Sequence, residues 1–145
     1  MRIAIGADHA GFLLKEHLKR KLEADGHQLT DFGTTSEAST DYPDYAHRVA
    51  AAVAGGEAER GLLVCGSGVG MAMAANRHPG VRAVAANDLF TVRLARAHND
   101  ANVLALGSRI VAAALAEELL ALFLASGFDG GRHERRVRKM DGGAE

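Results

Sequence analysis

Short runs of continuous apolar residues, among them Ile3-Ala4-Ile5, Leu62-Leu63-Val64-Cys65 and Val103-Leu104-Ala105-Leu106, alternate along this chain with longer amphipathic stretches. A strand with one face in water alternates apolar and polar residues, whereas a run apolar at every position needs cover on both faces. The alternation therefore predicts a parallel sheet sandwiched between helices: a three-layer α/β/α Rossmann-like fold with about five strands. Strands are expected at 3–5, 28–32, 61–65, 81–86 and 102–106. Helices are expected at 12–25, 45–54, from the loop after Cys65 to about 76, at 89–98 and at 111–124. In the first helix Leu13, Leu14, Leu18 and Leu22 are read as one apolar face, and Gly26 as its stop. Pro43 suits a helix start, and Gly55-Gly56 a helix end. The 145 residues are expected to form one domain (1–145), with a Gly- and Arg-rich tail from 127 forming a last short helix.

In open parallel sheets, ligands bind beyond the carboxyl ends of the strands. Here the polar residues gather at those ends: Asp8-His9 after the first strand, Cys65-Gly66-Ser67 after the third, Asn87-Asp88 after the fourth and Ser108-Arg109 after the fifth. The lone cysteine, Cys65, opens into Gly66-Ser67-Gly68-Val69-Gly70 ahead of a helix. A thiol there meets the positive end of a helix dipole and a row of unpaired N–H groups, the setting of a reactive cysteine. The same amides can hold a phosphate or a developing oxyanion.

Bulk properties exclude several classes. A formal net charge of -1 argues against nucleic acid or an anionic membrane as partner. One cysteine rules out an internal disulfide framework, and the N-terminus turns polar too early for a signal peptide, so a cytoplasmic protein is expected. Known phosphate motifs fail on inspection. The glycine loop has Met71 where a dinucleotide fingerprint needs its third glycine, and it follows the third strand. Gly6 and Gly11 have P-loop spacing, but Phe12-Leu13 replace the required Lys-Ser/Thr. Met71 also stands where a thiol phosphatase carries its arginine. His9, His98 and His133 lack paired metal-ligand spacing.

Taken in order, Gly6-Ala7-Asp8-His9-Ala10-Gly11, Thr40-Asp41-Tyr42-Pro43, Cys65-Gly66-Ser67-Gly68-Val69-Gly70, His98-Asn99-Asp100-Ala101-Asn102-Val103, Gly107-Ser108-Arg109 and Gly130-Gly131-Arg132-His133 resemble the ribose-5-phosphate isomerase B family, within the ribose/galactose isomerases. The match runs from the first strand to the tail. The resemblance implies cofactor-free and metal-free aldose–ketose isomerisation of ribose 5-phosphate and ribulose 5-phosphate through an enediolate. Cys65 would move the proton between the first two carbons; Ser67 and the amides of Gly66, Gly68, Val69 and Gly70 would hold the enediolate oxygen. His98, assisted by Asp8, would open the furanose ring; Asn99 would orient hydroxyls and Tyr42 line the pocket. His9, Arg109, Arg132 and Arg136, with His133, would meet the phosphate, the tail (127–145) serving this or a dimer contact. It also implies a homodimer with shared sites, His98 serving its neighbour, with pairing of dimers into tetramers left open.

Each assignment has a plainer rival. A buried cysteine can be an inert hydrophobe, Asp8 a helix cap, His9 a turn residue and His98 a cation at a helix end. Arg132 and Arg136 could belong to a solvated charged tail. Two other functions stay open: an isomerase for another sugar phosphate (allose 6-phosphate, galactose 6-phosphate or a tetrulose phosphate), and a non-catalytic nucleotide-binding module.

Overall fold

In the computed structural model, which describes residues 1–143, five strands and six helices alternate. They are β1 (Arg2–Ala7), α1 (Phe12–Ala24), β2 (Gln28–Asp31), α2 (Tyr42–Ala54), β3 (Arg60–Cys65), α3 (Val69–Ala75), β4 (Ala83–Ala85), α4 (Leu89–Ala97), β5 (Val103–Gly107), α5 (Ala113–Ala125) and α6 (Arg132–Met140). Every strand pair is parallel, in the order β2-β1-β3-β5-β4. From β1 the chain steps outward to β2, then returns across β1 to β3. The connections leaving β1 and β3 therefore diverge, which opens a crevice above that point of the sheet.

The two-residue period of the strands divides the core into two layers. Ile3, Ile5, Leu62, Val64, Leu104 and Leu106 pack with Leu18 and Leu22 of α1, Val92 of α4, and Leu119 and Phe123 of α5. Ala4, Leu63, Cys65, Val103 and Ala105 point the other way, onto Val49 of α2 and Met71 and Ala75 of α3. At Gly11 the approach is backbone on backbone, and a Cβ would stand 2.1 Å from the Val64 carbonyl oxygen. Among the described residues no helix is long and apolar enough to cross a membrane.

The structure corrects some details of the sequence reading. Leu13 is exposed, because the inward face of α1 runs through Leu14, Leu18 and Leu22, and Leu13 lies half a turn from Leu22. Strand β4 is shorter than expected, since the lead-in backbone bonds elsewhere: Val81 N–H donates to His78 O at 3.1 Å, and Arg82 N–H to Asn102 Oδ1 at 2.8 Å. The outer side of β4 is met by one side chain. Asn76 Nδ2 donates to Ala83 O at 2.9 Å while its Oδ1 accepts the Ala83 N–H at 2.7 Å. The tail does form a helix, α6; residues 144 and 145 of the expected 127–145 segment lie outside the described residues.

Among the groups sheltered at the α1–β2 junction is Lys15, only 1% exposed, whose Nζ lies 2.7 Å from both Asp31 Oδ2 and Glu16 Oε1. Burial pushes the Asp31 carboxyl up. The Lys15 hydrogen bond, the Gly33 amide and Lys19 outweigh it, so Asp31 is held below its ordinary value. A carboxyl lowered by folding stabilises above its unfolded pKa, and that contribution is lost as pH falls through the folded value. Asp31→Ala is expected to cost about 2–3 kcal/mol in urea unfolding at neutral pH, because it strands a buried ammonium with one partner. The gap from wild type should narrow below about pH 4. An equal gap at acid and neutral pH would locate the effect outside this ion pair.

Candidate active site

Above the β1–β3 switch lies an open cleft of about 420 Å³ lined by Asp8, His9, Tyr42, Cys65, Ser67 and Arg109, together with Ala10, Gly66, Val69 and Gly70. Local rules put each group there. After β1 the chain must turn into α1, and Asp8 holds that turn by accepting the Gly11 N–H at 3.0 Å on Oδ1. Asp8 is nonetheless on the cleft wall, so it braces a turn and faces the cleft at once. His9 Nδ1 accepts the Thr40 N–H at 3.2 Å, which leaves Nε2 as the proton-bearing nitrogen of the neutral ring.

Cys65 ends β3 with its side chain toward α2 and α3, and is 5% exposed. Gly68 N–H donates to its Sγ at 3.1 Å, and Val69 N–H donates to Ser67 Oγ at 3.3 Å. Only glycine suits position 68: φ is +81°, and a Cβ would stand 3.0 Å from the Ala105 carbonyl. The loop thus wraps an amide around the sulfur instead of simply passing it. Arg109 reaches over Gly66, where a Cβ would come within 3.1 Å of its Nη1. A cation therefore lies against the amide loop.

The other expected residues are not on this cleft. Helix α4 begins at the carboxyl edge of the sheet and runs back, so His98, its C-cap, lies at the amino edge. There Asn102 O accepts the N–H of Gly61, near the start of β3, at 2.9 Å. The His98 ring stacks on His133, with centroids 4.1 Å apart and planes 8° from parallel. Burial lowers the His133 pKa, and His98, Arg132 and Arg136 push the same way. Asn99, Arg132 and Arg136 are exposed beside this stack in sequence. One chain therefore carries two separate groups: Asp8, His9, Tyr42, Cys65, Ser67 and Arg109 at one edge, and the His98–His133 pair with its neighbours at the other.

Two braces of the cleft went unread in the sequence. Ser108 Oγ donates to Ala10 O at 2.7 Å, tying the loops after β5 and β1. Thr40 contributes only its backbone amide, which no residue preference announces. Asn87 Oδ1 accepts the Gly107 N–H at 2.9 Å, giving the polar pair after β4 a structural task.

Position, fold and the mixture of cationic and proton-carrying groups define the class: an α/β enzyme suited to a small anionic molecule. The profile of the family described as Ribose/Galactose Isomerase matches residues 3–140. Ribose-5-phosphate isomerase B of Escherichia coli (strain K12) is 48% identical over 139 residues, 96% of this chain and 93% of that protein. Among solved structures, ribose-5-phosphate isomerase B of Clostridium thermocellum superposes with a TM-score of 0.97 at 44% identity, over 98% of this chain and 96% of that one. That of Thermotoga maritima gives 0.95 at 50% identity, over 97% of each chain. The chain belongs to the ribose/galactose isomerase family.

The cleft geometry makes position 70 a selective probe. A Cβ there would stand 2.7 Å from the Tyr42 ring, and Tyr42 is 41% exposed and able to swing outward. Gly70→Ala is expected to lower kcat/KM about tenfold through this displaced wall, with the unfolding midpoint shifted by no more than about 3 °C. Unchanged kinetics would show that the ring does not shape the occupied cleft.

Proposed function

We propose that the protein is a metal-independent aldose–ketose isomerase that interconverts D-ribose 5-phosphate and D-ribulose 5-phosphate through an enediolate. The observation that carries this reading is the sulfur of Cys65 with the Gly68 amide aimed at it, facing the same cleft as a guanidinium and an imidazole. Cys65, as thiolate, takes the proton from C2 of the open-chain aldose and returns it to C1. The charge that develops on oxygen needs fixed donors, and the amides of the Gly66–Gly70 loop with Ser67 supply them, the Gly68 and Val69 N–H groups turning from their bonds to Cys65 Sγ and Ser67 Oγ. Arg109 and His9 grip the phosphate, a handle remote from the reacting carbons whose binding energy sets their position.

The furanose must open before its C2 proton is acidic, which calls for a proton donor to the ring oxygen. Among the described residues, His9 is the histidine that lines the cleft of one chain. We infer that a second copy supplies His98 and Asn99 from its own amino edge, together with Arg132, His133 and Arg136 for the phosphate, while Asp8 assists ring opening. Apolar side chains left in water support a two-fold pairing: Phe90 is 67% exposed, Met73 59% and Ile110 58%. Each chain acts as one domain in the cytoplasm, and the dimer holds two equivalent shared sites.

Two measurements test this. Purified protein should interconvert the two pentose phosphates in the presence of EDTA, and Cys65→Ala should lose at least about a thousandfold in kcat. Retained activity in that variant would remove the sulfur from the reaction. Secondly, Cys65→Ala and His98→Ala are each expected to be nearly inactive. Mixed and reassembled, they should regain about one quarter of wild-type activity, because half the dimers carry one intact site. No regain from well-mixed dimers would place both residues on the same chain's site.

A further inference from the structure

The turn that carries His98 and Asn99 is held by an unusual arrangement one residue further on. Asp100 has φ +46°, the one positive value at a non-glycine position among the described residues. L-residues avoid that region, and aspartate is among the few that tolerate it. Its carboxylate is gripped from both sides: Arg96 Nη1 donates to Oδ1 at 2.7 Å, and Arg82 Nη2 to Oδ2 at 3.1 Å. Arg82 Nε also donates to the Asp100 carbonyl at 2.9 Å.

These arginines reach well beyond the turn. Arg96 is 3% exposed, and its remaining bonds go to Ala101 O at 2.6 Å and Ser126 O at 3.2 Å. Ser126 opens the linker from α5 to α6, and the same linker donates Asp129 N–H to Ala97 O at 2.9 Å. Arg82 Nη1 donates to Asp141 Oδ2 at 2.9 Å, at the far end of α6. One carboxylate therefore sits where the last turn of α4, the start of the α6 linker and the end of α6 are tied together. The segments so joined carry His98, Asn99, Arg132, His133 and Arg136.

We propose that Asp100 is a positioning residue: with Arg82 and Arg96 it fixes the His98–Asn99 turn and the cationic helix α6 as one rigid unit presented to the neighbouring site. The inference rests on the isomerase reading and extends it, because Asp100 touches no substrate and acts through the groups it aligns. Loss of its charge should slow the ring step served by His98. Proton transfer at Cys65, on the other edge of the sheet, should be slowed less, since it feels Asp100 only through the phosphate contacts of α6.

Asp100→Asn tests this, since asparagine keeps the backbone tolerance and the size but gives up two charge-assisted bonds. Ribulose 5-phosphate is acyclic, because its C5 oxygen is esterified and unavailable for a five-membered ring. In D2O, deuterium at C1 of recovered ribulose 5-phosphate reports enediolate formation, while ribose 5-phosphate reports completed turnover. For full-length Asp100→Asn, kcat/KM for ribose 5-phosphate is expected to fall about tenfold. The ratio of C1 deuteration to aldose formation should rise several-fold, because an aldehyde that cannot close reverts more often. A variant that merely holds less folded protein would lower both signals together and leave their ratio unchanged. An unchanged ratio with an active wild type overturns the positioning role and leaves the isomerase intact. A wild type that neither exchanges nor isomerises overturns both. Arg82→Gln, which leaves the Arg96 bond in place, should move the ratio in the same direction by less, and serves as the reading if Asp100→Asn folds poorly.

Discussion

Where α1 begins, its backbone lies directly against the end of β3, with no room for a side chain between Gly11 and the Val64 carbonyl. That contact brings the turn after β1 beside the turn after β3. The residues those turns carry, Asp8 and His9 on one and Cys65 and Ser67 on the other, become neighbours although they lie far apart in sequence. Ser108 adds the third turn by its bond to Ala10. The cleft is thus a property of three loops braced on one another, and the sheet beneath supplies the fixed base.

The two edges of the sheet are furnished differently. At the carboxyl edge, charge and hydrogen-bonding capacity are left available: a sulfur, a ring nitrogen, a guanidinium and a run of amides face the cleft. At the amino edge, charge is neutralised internally among Arg82, Arg96, Asp100 and Asp141, and what remains outward is the stacked histidine pair and the cations of α6. Neither edge by itself holds a complete set for opening a sugar ring and moving a proton along it. Under the proposed two-fold pairing, unlike edges of two chains would meet, which a single chain of this topology cannot arrange because α4 runs back across the sheet.

Much of this was legible in the sequence. Runs apolar at every position can only be buried on both faces, so the layers and the parallel strands followed from Ile3–Ile5 and Leu62–Cys65, and the strand-end rule then located Asp8, Cys65 and Arg109. Less legible were features that depend on partners distant in sequence. Lys15 reads as a surface residue until Asp31 folds over it, and Leu13 reads as core until the packed face of α1 is seen to run through Leu14, Leu18 and Leu22. The Thr40 amide has no side-chain signature at all. Asp100 stands in one of the motifs that carry the family resemblance, yet neither its backbone conformation nor its two arginines can be inferred from spacing.

The bidentate grip of Asn76 on Ala83 has a consequence for how such molecules coexist at high concentration. The side-chain amide imitates a passing peptide group and occupies the outward donor and acceptor at the rim of the sheet, where a foreign strand would otherwise dock. At the β4 rim a foreign strand therefore meets less free backbone to pair with.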